Sequence, residues 1–216
     1  MRVTRIFCAA LLAVAIAGVR ADTLTTADDM ATPQVQSSPT TFLEDHDARV
    51  RAVVLRDPTD SLTTAERGHL RTLIGEAFDF RELSRQSLGD IWEARTEAEH
   101  DEFVRVYRGI IERQNLDMFV RYHRGGGISY TGEEIAADGR AVVLAEVPLR
   151  QEKKVISYAL HRPATDGEWR IYDLAVDGAS TVNGNRRKWT RFIARNSYEQ
   201  LVERLHKMLA NLEEAG

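Results

Sequence analysis

The stretch GEWRIYDLAVDGASTVNGNRRKW, residues 167–189, gathers two carboxylates, a hydroxyl and a cationic cluster. Paired carboxylates at one site can divide general-acid and general-base work between them. Asp173 and Asp177 are four residues apart, so on a strand they share a face, with Cα atoms on the order of 13 Å apart. That is too far for one site unless the strand bends. Ser180 follows a glycine, but the sequence has no G-x-S-x-G elbow and marks no base for it. The expectation for Ser180 is a turn or cap hydrogen bond. The two aspartates are expected to meet solvent, arginines or backbone donors. Six histidines, at 46, 69, 100, 123, 161 and 206, include no HExxH pair, and no metal site is expected. No phosphate-binding G-x-x-x-x-G-K is present either, and no catalytic residue is assigned. Arg187, Arg191 and Arg195 recur every four residues, on one helical face. They read either as a solvated face balancing nearby acids or as a docking patch for an acidic partner or lipid headgroups.

Around these residues the chain divides into helices, then strands, then helices. Capping-box spacings recur at Thr63 with Glu66, Asp79 with Glu82, Thr96 with Glu99 and Asn196 with Glu199, each marking a helix start. Gly89 closes the helix of FRELSRQSLG. The longest helix is predicted from about Glu97 to Tyr122. Its stripe is Phe103, Val106, Tyr107, Ile110 and Ile111, continued by Met118, Phe119 and Tyr122 and interrupted only by Gln114 and Asn115. The glycines of RGGG then stop it. Strands are predicted at 127–136, 141–149, 153–162 and 168–177, with turns at Asp138-Gly139 and Asp166-Gly167. Such short connections imply an antiparallel meander. One face carries Val143, Ala145, Val147 and Leu149, then Ile156, Tyr158 and Leu160, then Tyr172, Leu174 and Val176, with Asp173 and Asp177 on the other face. Helices must cover the apolar face, so the fold class is α+β. Two more helices, at 185–195 and 197–212, close the chain.

The totals bound the partners. Of 216 residues, 43% are apolar and 29% charged, which suits a packed core. The net charge of −4 argues against nucleic acid, which needs a basic footprint. MRVTR followed by IFCAALLAVAIAGV reads as a signal peptide over 1–21. Cleavage would leave an acidic chain of charge −7 without cysteine, because Cys8 lies in the apolar segment. Residues 22–40 are polar, aperiodic and contain two prolines, and read as a disordered leader before a single domain over 41–216.

FDFRELSRQSLGDIW (78–92) and WRIYDLAVDGASTVNGNRRKW (169–189) resemble the MlaC family of periplasmic phospholipid-binding proteins, also called the toluene-tolerance family of ABC-transport auxiliary proteins. The matching residues are Phe78, Asp79, Phe80, Leu88, Gly89 and Trp92, then Trp169, Tyr172, Asp173, Gly178, Ser180, Asn185 and Arg186. The likeness spans about 65–210. It implies a curved antiparallel sheet wrapped by helices, an NTF2-like cone with a helical lobe, and an apolar cavity for the acyl chains of a glycerophospholipid. It further implies a monomeric, periplasmic, non-enzymatic carrier without cofactor. Such a carrier serves an outer-membrane lipoprotein complex and an inner-membrane ABC transporter in maintaining outer-membrane lipid asymmetry. On that reading the lipid-binding residues are Phe103, Val106, Tyr107, Ile110, Met118, Val143, Ala145, Val147, Ile156, Tyr158, Leu160, Leu174 and Val176. Two other readings stay open. One is an NTF2-like enzyme acting on a small apolar substrate, which requires a carboxylate or histidine on the apolar side of the sheet; the best-patterned strands offer none. The other is an interaction module whose cavity is merely core.

Overall fold

The computed structural model describes residues 37–56, 61–149, 152–164 and 167–215. Six helices come first: α1 (Pro39–Val54), α2 (Thr64–Ala77), α3 (Phe80–Leu88), the single turn α4 (Asp90–Glu93), α5 (Glu97–Gln114) and α6 (Leu116–Arg124). A sheet follows, of β1 (Ser129–Ile135), β2 (Ala141–Pro148), β3 (Lys153–His161), β4 (Arg170–Val176) and the short β5 (Ala179–Ser180). Helices α7 (Thr181–Ile193) and α8 (Tyr198–Ala215) end the chain. The strands pair antiparallel in sequence order, giving the expected meander and an α+β fold.

Helix starts follow local chemistry. Thr63 and Thr96 each form a complete capping box, and Asp79 accepts from the Glu82 amide. Asn196 does not cap α8. Its amide donates to the Phe192 carbonyl at the end of α7, and Ser197 accepts from the Gln200 amide instead. The first described helix starts ahead of Thr41. Ser38 accepts from the Thr41 amide and Pro39 takes the first turn, a start signal hidden in a stretch that otherwise reads as disordered. The signal peptide, most of the leader and Asp166 lie outside the described residues.

The helix expected over 97–122 is two helices. At Asn115 the side-chain amide donates to the Ile111 carbonyl, 3.0 Å away, and competes with the backbone ladder. The chain restarts as α6, and Gly125 follows its last residue. In the loop beyond, Gly126 (φ 135°) and Gly127 (φ 85°) adopt backbone angles that side chains disfavour.

Two bulges bend the sheet. One lies between Tyr130 and Gly132, the other opposite Ala159/Leu160 in β4. The second changes the expected facing of β4. Leu174 and Val176 pair with Tyr158 and Ile156 as foreseen, but Ile171, not Tyr172, pairs with Leu160 on the apolar side. Tyr172 turns to the other face, where its ring meets His161 edge-on and lies under Arg140. Asp177 is not in β4 at all. It follows the strand with φ 49°, and accepts from the Val155 amide and Lys154.

Three apolar clusters result. A helical cluster joins α3, α5, α7 and α8 around Phe103, Tyr107 and Trp189. A sheet cluster lies under α1 and α6, and a smaller one joins α1, α2 and α6. Phe78 packs against all three.

Candidate functional site

The two matching blocks are scaffold. Asp173 accepts from the Val182 amide at 3.0 Å, from its neighbour Leu174 at 2.8 Å and from the Ser180 hydroxyl. Ser180 in turn accepts from the Asn183 amide, so the pair starts α7, as expected of Ser180. Asp173 and Asp177 form no shared site. Asp79 caps α3 and also meets His161 at 2.9 Å, while its own amide donates to the Ile171 carbonyl. Arg186 donates to the Gln86 carbonyl at 2.8 Å and lies over Gly89, where φ is 59°. The Trp169 indole donates to the Ser37 carbonyl. Together these bonds tie α1, α3 and α7 to the sheet.

The thirteen expected lipid-binding residues separate. Phe103, Val106, Tyr107 and Ile110 lie in the helical cluster, because the α5 stripe faces α3, α7 and α8. The Tyr107 hydroxyl accepts from Asn185. Met118, Val143, Ala145, Val147, Ile156, Tyr158, Leu160 and Leu174 come together in the sheet cluster, and Val176 is half-buried at its margin. The chamber that merits attention is therefore bounded by the sheet, α1 and α6. Leu43, Val50, Ile74, Phe78, Phe119 and Ile128 line it with Tyr130, Tyr158 and Ile171. Its remaining volume is about 20 Å³, room for roughly one water.

One ionisable pair reaches into this apolar space. Asp47 of α1 is 8% exposed and His123 of α6 is 3% exposed, and they meet through Nε2 and Oδ1. His123 Nδ1 lies 2.7 Å from the Phe119 carbonyl, which can only accept. Nδ1 therefore carries a proton, and the Nε2–Asp47 contact holds one more. Both ring nitrogens are engaged, leaving no lone pair for a substrate. Burial, reinforced by the Asp47 charge, pushes the Tyr158 phenol up, and burial also raises Tyr130, so both stay neutral. Burial beside Arg49 lowers neighbouring His46 to about 4.

The helices supply what the strands lack. Asp47 interrupts an α1 stripe of Leu43, Val50 and Val54, a polar residue at a buried position, and that spacing was the available signal.

Elsewhere, Arg187, Lys188 and Arg191 are exposed on α7, whereas Arg195 lies in the turn after it because the helix ends at Ile193, two residues short of the expected face. None of the four has a carboxylate partner among the described residues. No group of three or more metal-ligating side chains occurs among the described residues, and no described helix is long and apolar enough to cross a membrane.

The family model described as MlaC protein matches residues 34–207. A similar solved structure is that of a phospholipid-binding protein from Ralstonia solanacearum in complex with a phospholipid. It covers 82% of this chain and 99% of its own, with a TM-score of 0.69 and 18% identity. At that identity the likeness speaks for the fold. No curated protein sequence matches this chain.

Proposed function

The chain belongs to the MlaC family, and we propose that it is a periplasmic carrier that takes the acyl chains of a glycerophospholipid between its sheet and α1 and α6. The observation that carries this reading is the character of the chamber. The core face of β2 carries Ala141, Val143, Ala145 and Val147 and that of β3 carries Ile156, Tyr158 and Leu160, and α1 and α6 rather than α5 cover them. The phospholipid bound by the similarly folded Ralstonia protein supports it.

Each methylene removed from water contributes about 0.8 kcal/mol, so two chains of roughly thirty methylenes gain on the order of 20 kcal/mol. A carrier must nearly match the bilayer, and only an apolar chamber does so. Ligand pockets hold roughly 300–1,000 Å³, far more than the 20 Å³ left here, so loading requires α1 or α6 to move off the sheet. We assign the carrier to traffic between an outer-membrane lipoprotein complex and an inner-membrane ABC transporter. The cations Arg187 and Arg191 of α7, with Arg195 in the turn after it, serve as the surface that meets an acidic partner.

Native mass spectrometry of the purified protein, followed by solvent extraction, tests this. A stoichiometric diacyl lipid is expected. A mass that stays free of lipid after incubation with liposomes would sink the carrier reading. It would favour the second one, an enzyme built on Asp47 and His123, for which the engaged imidazole is the present obstacle.

A further inference from the structure

A larger groove lies beside α6, lined by residues other than those that line the chamber. α6, Gly125, Leu149 and the first residues of the β3 arm enclose about 620 Å³ there, within the range of a ligand pocket. Its apolar wall is Val120, Tyr122 and Leu149. Tyr122 is buried in the sheet cluster and Leu149 packs against that cluster, so groove and chamber share a wall.

The rim is charged: Arg121, Arg124 and Lys154, with Asp117 and Glu152. Both carboxylates are already committed, Asp117 to Arg67 at 3.2 Å and Glu152 to Lys154 at 2.8 Å. Arg121 is exposed and makes no ion pair among the described residues. An apolar groove with the uncommitted Arg121 guanidinium at its edge suits an amphiphile whose polar end is anionic.

We propose that this groove is the mouth of the lipid chamber, and that Arg121 holds the headgroup of an anionic glycerophospholipid there. The inference rests on the carrier reading and adds the headgroup class to it. A zwitterionic headgroup brings an ammonium to a rim where Arg121, Arg124 and Lys154 outnumber Asp117 and Glu152, so its positive end is repelled while its phosphate is held. A headgroup such as that of phosphatidylglycerol brings only negative charge and meets the guanidinium without that repulsion.

The test loads the full chain from vesicles of equimolar phosphatidylglycerol and phosphatidylethanolamine with matched acyl chains, then weighs the bound lipid by native mass spectrometry. Enrichment of phosphatidylglycerol by about fivefold is expected, the effect of one cation on one lipid charge near a surface. Arg121→Gln should return the bound ratio towards that of the vesicles. Lys207→Gln, the same charge change on α8, should keep the enrichment. Bound lipid at the vesicle ratio in the wild type would overturn the headgroup assignment and leave the carrier reading standing. So would undiminished enrichment in Arg121→Gln, or equal loss in both variants. A wild type that takes up no lipid at all would overturn both.

Discussion

At the scale of single residues, the pair Asp47–His123 is the most consequential contact of the chamber, because neither partner is tolerable alone in apolar surroundings. His123→Leu should cost about 3 kcal/mol by stranding the carboxylate, while the double variant Asp47→Leu/His123→Leu should recover most of that loss. Urea unfolding of the three proteins measures the difference. A double variant no more stable than the single one would show that the pair does not act as a unit. His46 sets a pH dependence. Its folded pKa of about 4 lies below the ordinary 6.5, so the unfolded chain takes up the proton first on acidification. Its contribution is complete above pH 6.5 and is lost as pH falls to 4, on the order of 3 kcal/mol in all. Glu82 acts in a lower window. Burial would raise it, but Arg85, Gln86 and His161 hold it at about 2, so its contribution disappears only below 4.5. Unfolding free energies measured from pH 8 to 3 should therefore fall first between 6.5 and 4, and His46→Gln should flatten that first fall. The sequence held a clue to Asp47 in the α1 stripe. It held none to its partner, because His123 is 76 residues away and only the fold brings them together.

At the scale of elements, periodicity located the strands to within about two residues and the apolar faces of β2 and β3 correctly. It could not locate the β4 bulge, since one extra residue reverses the facing of Tyr172 without altering composition. Nor could it divide α5 from α6, because an Asn at a stripe's edge and an Asn that ends a helix look alike until the side-chain bond is seen. On the proposed carrier function, that division decides which apolar residues meet the lipid. Ile110→Ala, in the helical cluster, should cost about 2–5 kcal/mol of stability, yet folded molecules should load lipid as the wild type does. Ala145→Phe fills the chamber from β2. It should cost about 1–3 kcal/mol and lower the lipid carried per folded molecule. Paired thermal unfolding and lipid counting distinguish the two, and equal lipid loss in both would return α5 to the chamber wall.

At the scale of the whole molecule, the α+β class and the meander were legible because short turns and alternating strands leave few alternatives. The division of the interior into three clusters was not, since nothing local says which helix covers which surface. Outside that interior, the uncompensated cations of α7 stand on a protein of net charge −4, so their field should matter most at low salt. Arg191→Glu should slow lipid delivery to vesicles bearing the inner-membrane transporter severalfold at low ionic strength, with lipid loading unchanged. A rate equal to that of the wild type would remove α7 from the docking surface. The bond of Arg186 to Gln86, a hundred residues apart, and the seating of Arg186 on Gly89 have a consequence in time. Helices α3 and α5 leave the ribosome long before α7 and α8, which supply Val182, Trp189, Leu201 and Leu205 to their cluster. Until the segment from Thr181 onward has been synthesised, half of that cluster's wall is missing and its aromatic residues face water. Closure by such distant contacts is intrinsically slow, so the nascent chain stays open, and dependent on whatever shields it, until its final helices arrive.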